Sequence, residues 1–261
     1  MRGWWQDFTD LVLPAECGGC GRPRTVLCPE CRAALSGAAP RRVRPVPEPP
    51  GLPEVHAAAP YADEVRATLL AHKERGALSL AGALGVALAG AVRAGLSSAG
   101  RDGRPVLLVP VPSARWAVRA RGHDPVRRIA LAAAGELRRG GTSARVAAVL
   151  RQRRAVADQS GLDSRRRRAN LAGALEVTAG GARLLAGGRP VLVDDLITTG
   201  ASLTEAARAL REVITCGGGR TVVYAHSTRE EMGERMAGST GAVIRAAVIA
   251  APPDSFEINR N

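Results

Sequence analysis

Aromatic residues and lysine are scarce in this chain. Aromatic side chains make up 3% of its 261 residues, and Lys73 is the only lysine among 37 basic residues. Apolar residues nonetheless make up 46% of the sequence, which excludes general disorder. A chain of this length can form one sizeable α/β domain with a small appendage, and its core must be built from alanine, valine and leucine.

Long apolar segments are lacking as well. The longest uncharged stretch, residues 77–92, is shorter than a membrane span and rich in glycine and alanine, so we expect a buried helix and no membrane insertion. The first fourteen residues contain Asp7 and Asp10 and no continuous apolar region, unlike a signal peptide. Together these absences predict a cytoplasmic protein.

Acidic residues are outnumbered by basic ones. The formal net charge is +13 and the pI is about 11.1. Such a surface attracts polyanions, of which nucleic acid is the first candidate. Arginine in place of lysine throughout a chain rich in alanine, glycine and proline is also typical of a general compositional bias without any nucleic-acid role. Both interpretations stay open at this point.

Cysteine is concentrated in one short segment, because four of the five lie within fifteen residues and only Cys216 stands apart. They form two CxxC pairs, Cys17 with Cys20 and Cys28 with Cys31, so four thiolates can close a tetrahedron around a structural Zn²⁺. Residues 1–35 are too few for a hydrophobic core of their own, and we predict a zinc ribbon there. Free or redox-active cysteines are the alternative.

The remaining chain divides by composition. Seven prolines predict a stiff, extended linker over residues 36–60, without regular structure. Residues 61–250 alternate between helical and strand-like patterns, which predicts a mostly parallel sheet flanked by helices; residues 251–261 are expected to form a flexible tail. Helices are predicted over 63–75, 77–95, 124–139 and 203–213, and strands over 105–109, 145–150, 175–178, 189–194, 220–226 and 242–250.

The most informative segment is Val191–Ser202. Three apolar residues predict a buried strand, and Asp194 and Asp195 stand at its carboxyl end, where open α/β sheets bind ligands. The hydroxyl-rich loop that follows leads into a helix, whose N-terminal N–H groups attract phosphate. The alternative is that the carboxylates are solvated and the loop only caps the helix. The phosphate-binding candidates are Thr198, Thr199, Gly200, Ala201 and Ser202.

This segment resembles the phosphoribosyl-pyrophosphate (PRPP) motif of type I phosphoribosyltransferases. The resemblance implies a type I phosphoribosyltransferase-like fold over residues 61–250, with Asp194 and Asp195 as the catalytic carboxylates that face the ribose hydroxyls. It also implies that Thr198 to Ser202 surround the 5-phosphate and that Mg²⁺ accompanies PRPP.

Two basic segments complete the predicted site. In the type I fold the loop after the strand at 105–109 handles pyrophosphate, which places Ser113, Arg115, Arg121 and Gly122 at that ligand or at a nucleic acid. Residues 150–170 correspond to a mobile hood over the substrate, in which Gln159 and Arg168 are further contacts. The alternative is that these arginines only form a solvated surface.

The order of these features resembles the ComF family over about residues 11–228: four cysteines, Tyr61, Lys73, the Pro-Val-Pro loop, and the acidic motif. The resemblance implies a role in natural transformation or in the use of external DNA. Single-stranded DNA, helicases and recombination-mediator proteins are the partners that it implies. Family members usually have Phe-Asn-Gln after Arg-Gly, where this chain has His123-Asp124-Pro125, so ligand binding at this loop is expected to differ.

Two functions are compatible with the sequence. The first is an enzyme of phosphoribosyl transfer that binds PRPP or another phosphoribosyl ligand. The second is a non-catalytic accessory protein that binds single-stranded DNA during uptake and recombination, and a scaffold for a partner protein is a third option. An acceptor pocket is not evident, because only Trp116 and Tyr224 are available to stack against a base.

Overall fold

A computed structural model describes residues 16–97, 103–154, 170–217 and 243–256. The α-helices are α1 (Pro29–Ser36), α2 (Asp63–Glu74), α3 (Ala81–Ser97), α4 (Arg115–Arg121), α5 (Pro125–Arg139), α6 (Gly181–Ala186) and α7 (Ala201–Gly217). The strands are β1 (Arg41–Val43), β2 (Glu54–Pro60), β3 (Val106–Pro110), β4 (Ala144–Val146), β5 (Leu150–Gln152), β6 (Leu175–Val177), β7 (Arg189–Leu196) and β8 (Arg245–Ala251).

Six strands form one sheet in the order β1-β2-β8-β7-β3-β4. Only β1 runs antiparallel to its neighbour, and the other five strands are parallel. Pro110, the last residue of β3, pairs with Val193 of β7, so β3 ends beside β7 three residues before β7 itself ends. The prediction of an α/β fold with a mostly parallel sheet flanked by helices is confirmed.

Alternation along β7 divides the core between the two faces of the sheet. Val191 and Val193 belong to the cluster that contains α3 and α5, whereas Leu192 packs with α7 and with strands β5 and β6. Helices α3 and α5 approach closely because α3 has glycine at the crossing. A Cβ atom on Gly85 would lie 2.5 Å from the Cβ of Ala132. The small residues of this aromatic-poor chain thus allow dense packing of helix on helix.

The apolar segment predicted as a buried helix forms a 3₁₀ turn at Leu78–Leu80 followed by α3. By length and composition Leu78–Ser97 could cross a membrane, but 56% of its most apolar window is buried within the described protein. Its buried side chains, Leu84, Leu88 and Val92 among them, belong to the core cluster that α3 shares with α5. Core packing therefore accounts for the apolar character of this helix.

The prediction that residues 36–60 lack regular structure is wrong. Both β1 and β2 belong to the main sheet, and β2 pairs in parallel with β8 along its length. Five of the seven prolines, at 45, 47, 49, 50 and 53, lie in the connection between the two strands, where no sheet hydrogen bond is lost. The apolar residues of β2 therefore decide the structure: Val55, Ala57 and Ala59 are each at most 1% exposed.

The predicted tail is also part of the fold as far as Phe256. Ala251 ends β8, a short 3₁₀ turn follows at Pro253–Ser255, and Phe256 forms an antiparallel bridge with Val43. The guanidinium carbon of Arg41 lies 4.7 Å from the centre of the Phe256 ring. One aromatic side chain thus fixes this end segment to β1, and residues 257–261 lie outside the described part.

The strand predicted over 145–150 is in fact two strands in different sheets. β4 extends the main sheet beside β3, whereas β5 pairs with β6 in a separate two-stranded sheet. The chain leaves the main sheet at 147–149 because β4 is an edge strand of only three residues. The strand predicted over 220–226 lies outside the described residues.

One buried carboxylate joins the two-stranded sheet to α7. Glu205 is 6% exposed, and it accepts hydrogen bonds from the Leu175 N–H at 3.0 Å and from Arg208 Nη2 at 2.7 Å. Arg208 also donates to the Leu175 carbonyl at 2.9 Å. Burial acts to raise the pKa of Glu205, but the bonds from Arg208 and Leu175 outweigh it and lower that pKa below its ordinary value.

Replacing Glu205 with Gln is therefore expected to lower the free energy of unfolding by about 2 kcal/mol, because charge-assisted bonds to β6 and Arg208 are lost. A depressed carboxyl pKa contributes stability above its unfolded value, 4.5, that disappears as pH falls through the folded value. Denaturant unfolding at pH 7 and pH 3 measures this. Glu212→Gln is the control, because Glu212 is the exposed ion-pair partner of the same Arg208, and equal effects of both changes would contradict the prediction.

Candidate functional site

The four clustered cysteines form a compact group of sulfur atoms. All four Sγ atoms lie within 4.8 Å of one another, and those of Cys20 and Cys28 are 3.7 Å apart. Tetrahedral zinc with Zn–S bonds of about 2.3 Å needs sulfur atoms roughly 3.8 Å apart. The arrangement therefore fits a structural zinc ion, as predicted from the two CxxC pairs.

Local backbone turns produce this geometry. Gly21 N–H donates to the Cys17 carbonyl, and Cys28 stands at the N-cap of α1, where its Sγ accepts from the Cys31 N–H at 3.5 Å. Cys28 N–H in turn donates to Cys17 Sγ at 3.3 Å. Burial acts to raise the pKa of the Cys17 thiol, but backbone N–H groups, those of Cys20 and Cys28 among them, lower it to about 6. The thiolate form that binds metal is thus favoured at Cys17, whereas burial raises the pKa of the Cys31 thiol.

The cysteine segment packs against the α/β domain. Cys17, Cys28 and Cys31 are buried in the same cluster as residues of α2 and α3. A Cβ atom on Gly18 would lie 2.6 Å from Leu80 Cδ1, so the first CxxC turn is pressed against the 3₁₀ turn. We expected metal binding to hold this segment together in place of a hydrophobic core of its own. The structure adds a second contribution, because the segment also shares the core of the larger domain.

A second group of predicted residues meets where β7 ends and α7 begins. A shallow depression, open to solvent, is lined by Asp194 and by residues 196–203. Thr204 N–H donates to the Gly200 carbonyl, which starts α7 directly after the loop. The first N–H groups of an α-helix have no partner within the helix. In α7 these groups belong to residues that line the depression, so the positive end of the helix dipole lies there.

Gly200 is required by the backbone and by its neighbours. Its φ is +73°, a conformation that side chains rarely adopt, and an added Cβ would lie 3.0 Å from Leu52 Cδ1 and 3.2 Å from Pro49 Cγ. The proline-rich connection between β1 and β2 therefore forms one wall beside the loop. Arg211 of α7 fixes it there by donating to the Gly51 carbonyl at 2.9 Å. The sequence predicted that Gly200 belongs to the phosphate-binding loop, but it did not predict that the connection between β1 and β2 packs against that loop.

The two carboxylates at the end of β7 have different surroundings. Asp194 is half-buried and lines the depression. Asp195 is 6% exposed, and its Oδ2 accepts a hydrogen bond from Lys73 Nζ at 2.8 Å. One of the two predicted carboxylates is therefore available to a ligand in the depression, and the other is paired with the only lysine of the chain.

The two carboxylates have pKa values that are shifted in opposite directions. Burial and the neighbouring charge of Asp195 raise the pKa of Asp194 well above its ordinary value. Burial also acts to raise the pKa of Asp195, but the Lys73 ammonium outweighs it and lowers that pKa, and Asp195 in turn raises the pKa of Lys73. Sequence reasoning missed this ion pair, although a single lysine among so many arginines was a signal for it.

The second predicted half of the site is placed beside the same strands. Ser113 lies in the half-buried loop between β3 and α4, and Gly122 ends α4 with a φ of +74°. Arg115 Nη2 donates to the Gln152 carbonyl of β5 at 3.4 Å. Arg121 Nε forms an ion pair with Glu74 Oε2 at 3.2 Å, next to Lys73. Gln159 and Arg168, predicted in the hood, lie outside the described residues.

The residues that depart from the family pattern have structural partners. Asp124 is the N-cap of α5, where its Oδ1 accepts from the Arg127 N–H at 3.1 Å, and Pro125 occupies the first helical position. His123 contacts His72 edge-on, with ring centres 6.1 Å apart. The added carboxylate therefore begins a helix in this chain.

Comparisons with known proteins do not assign a family. No protein-family model matches the chain, and no curated protein matches it.

Proposed function

We propose that this chain binds PRPP or a related ribose 5-phosphate ligand at the depression between β7 and α7, as a phosphoribosyltransferase-like protein of the ComF type. The observation that carries the proposal is the meeting of a carboxylate, a hydroxyl-rich loop and a helix N-terminus in one depression. A sugar phosphate has complementary groups, since its hydroxyls donate to carboxylate oxygens and its phosphate accepts from N–H and O–H groups.

Each part of the depression has a role in this proposal. The N–H groups at the start of α7 and the hydroxyls of Thr199 and Ser202 hold the 5-phosphate, and Gly200 allows its close approach. Asp194 accepts hydrogen bonds from the ribose hydroxyls. Mg²⁺ that arrives with PRPP commonly uses one or two carboxylates besides phosphate oxygens, and Asp194 is the carboxylate that lines the depression.

Lys73 and Asp195 act as a positioning pair behind the ligand. Their bond joins α2 to the end of β7, and the charge that Lys73 supplies keeps Asp195 ionised. An ionised, immobile Asp195 also orients the Asp194 side chain, because the Asp195 backbone N–H donates to Asp194 Oδ1 at 2.9 Å. Transfer of the phosphoribosyl group would then depend on positioning and on neutralising the departing pyrophosphate, for which Arg115 and Arg121 are the nearby cations of α4.

A second candidate function is binding of single-stranded DNA as an accessory protein of DNA uptake and recombination. The observation that favours it is the set of exposed cations on α4, α5 and the end of β5: Arg115, Arg119, Arg127, Arg128 and Arg154. Phosphate contacts of this kind give affinity that falls steeply with salt. Helicases and recombination-mediator proteins are the partners that go with this function.

Isothermal titration with ribose 5-phosphate, and with PRPP plus Mg²⁺, tests the first function. Ser202→Ala is expected to weaken both ligands about tenfold, because one hydroxyl bond to a charged phosphate is lost. Thr215→Ala removes a hydroxyl from the exposed far end of the same helix and should change neither affinity.

Wild-type protein that binds neither ligand would overturn the proposal. Salt-sensitive binding of a short single-stranded oligonucleotide by that same protein would then favour the accessory function. Tight binding of ribose 5-phosphate with no binding of the oligonucleotide would favour the phosphoribosyl function alone.

A further inference from the structure

Helix α2 packs mainly on the part of the chain that carries the four cysteines. Among the described elements, its main neighbours are α1 and the 3₁₀ turn at Leu78–Leu80. A Cβ atom on Gly19 would lie 2.6 Å from Cys31 Sγ of α1 and 3.2 Å from Glu64 Cβ of α2, so the first CxxC turn fits closely between the two helices. The position of α2 therefore depends on the cysteine segment.

The buried side of α2 extends this contact along the helix. Val65 and Leu69, one turn apart, are each 4% exposed and belong to the same core cluster as the three buried cysteines. Just before α2, the Tyr61 N–H donates to the Ala251 carbonyl at 2.7 Å, which ties the chain to the end of β8. The start of α2 is thus anchored to the sheet, while its side contacts hold the rest of it against the cysteine segment.

The carboxyl end of α2 reaches the proposed phosphoribosyl site. Lys73 Nζ donates to Asp195 Oδ2 at 2.8 Å, and Asp195 follows directly on Asp194, which lines the depression. Val65 and Lys73 are about 12 Å apart along the helix axis. Because α2 is anchored at its start, a small tilt where Val65 meets the cysteine segment becomes a larger displacement at Lys73.

A displacement of Lys73 changes the charge beside the depression. Asp194 and Asp195 are neighbours at the end of β7, and the ammonium of Lys73 forms the ion pair with Asp195. Once Lys73 moves away, a phosphate in the depression lies near a carboxylate whose charge is no longer balanced, and like charges repel. A correctly placed α2 therefore favours binding of an anion.

We infer that α2 couples the two sites, so that metal binding by the four cysteines raises the affinity of the depression for an anionic sugar phosphate. This inference rests on the proposed function. Such coupling is reciprocal: the factor by which metal strengthens phosphate binding is also the factor by which the phosphate ligand strengthens metal binding. The cysteine segment thus regulates the site in addition to stabilising the fold, and a chain that loses its metal releases its ligand.

The test is isothermal titration of the full chain with ribose 5-phosphate, before and after removal of zinc with a chelator. Mg²⁺ is left out, because the chelator would bind it as well. We expect the affinity to fall about five- to tenfold without zinc, while far-UV circular dichroism shows that the helices are retained. In Lys73→Met, whose affinity is already lower, zinc removal should change the affinity by less than about twofold, because the connection through α2 is broken.

A second variant tests the same connection with zinc in place. Leu69→Ala should keep one zinc ion per chain and yet weaken ribose 5-phosphate about fivefold, because the cavity loosens α2 from the cysteine segment. Leu137→Ala is the matched control, since Leu137 is fully buried in the same core cluster but lies in the last turn of α5. It should lower the unfolding temperature to a similar extent and leave the affinity unchanged.

Equal affinity for ribose 5-phosphate with and without zinc would overturn the inference and leave the proposed function standing. An equal effect of zinc removal in Lys73→Met, or unchanged affinity in Leu69→Ala, would do the same. Unfolding of the whole chain on zinc removal would also overturn it, since zinc would then act on the fold and not through α2. Zinc-loaded wild-type protein that binds no ribose 5-phosphate would overturn the proposed function, and the coupling with it.

Discussion

One zinc ion per chain is expected in purified protein, and Cys28→Ser is expected to lose it. Cys28 is fully buried, caps α1, and its sulfur is near those of the other three cysteines. A serine hydroxyl is a poor replacement for thiolate, so the metal site would keep three ligands. We expect the free energy of unfolding to fall by about 5 kcal/mol or more, since structural zinc sites contribute about 10–16 kcal/mol of apparent binding free energy at pH 7.

Metal analysis together with thermal unfolding measures this prediction. Cys216→Ser is the control, because Cys216 lies far along the chain from the two CxxC pairs, and its change should leave both the zinc content and the unfolding temperature near the wild-type values. A zinc content well below one per chain in protein with all thiols reduced would contradict the prediction. The shared core makes a further consequence testable: chelation should also destabilise α2 and α3, seen as faster hydrogen exchange there.

Asp194→Asn is expected to weaken PRPP binding by about 10- to 100-fold, because the carboxylate that accepts from the ribose hydroxyls, and that bound Mg²⁺ keeps ionised despite its raised pKa, is lost. The amide is nearly the same size, so the fold should be retained. The double change Asp194→Asn with Asp195→Asn should abolish PRPP binding. It should preserve or strengthen binding of single-stranded DNA, since two negative charges that repel its backbone are removed.

Three single variants distinguish direct contacts with PRPP from structural stabilisation of the site. Asp254→Asn removes an exposed carboxylate outside the depression and should leave PRPP affinity unchanged. Asp195→Asn and Lys73→Met each leave one member of a buried ion pair without its partner, so both should lower the unfolding temperature as well as the affinity. Unchanged PRPP affinity in Asp194→Asn would refute the assignment of this carboxylate to the ligand.

Local sequence patterns were sufficient for much of the architecture. The apolar run before Asp194 predicted β7, and the apolar spacing before Arg139 predicted α5. These elements could be predicted because period-two and period-3.6 patterns reflect which face of an element is buried. The spacing of Cys17, Cys20, Cys28 and Cys31 likewise predicted their cluster, because a CxxC turn already places two sulfurs near each other.

Proline content gave the wrong prediction for residues 36–60 because it reflects only local backbone preference and not pairing with distant strands. Most of those prolines lie in the connection between β1 and β2, while β2 itself gains from pairing with β8, whose residues lie 191 positions further along the chain. The same connection then reaches Gly200 through Pro49 and Leu52. Tertiary pairing overrides local preference where a strand is buried on both faces.

The sequence by itself determined the alternation of helices and strands, the cysteine cluster, and the carboxylates and hydroxyl loop at the end of β7. Only the tertiary structure decided that Lys73 pairs with Asp195 across 122 positions, that the cysteine segment shares the main core, and that α4 joins the small sheet to the acidic pair. The reason is physical: local motifs are encoded in neighbouring residues, whereas these contacts depend on the order of strands in the sheet, which brings distant parts of the chain together.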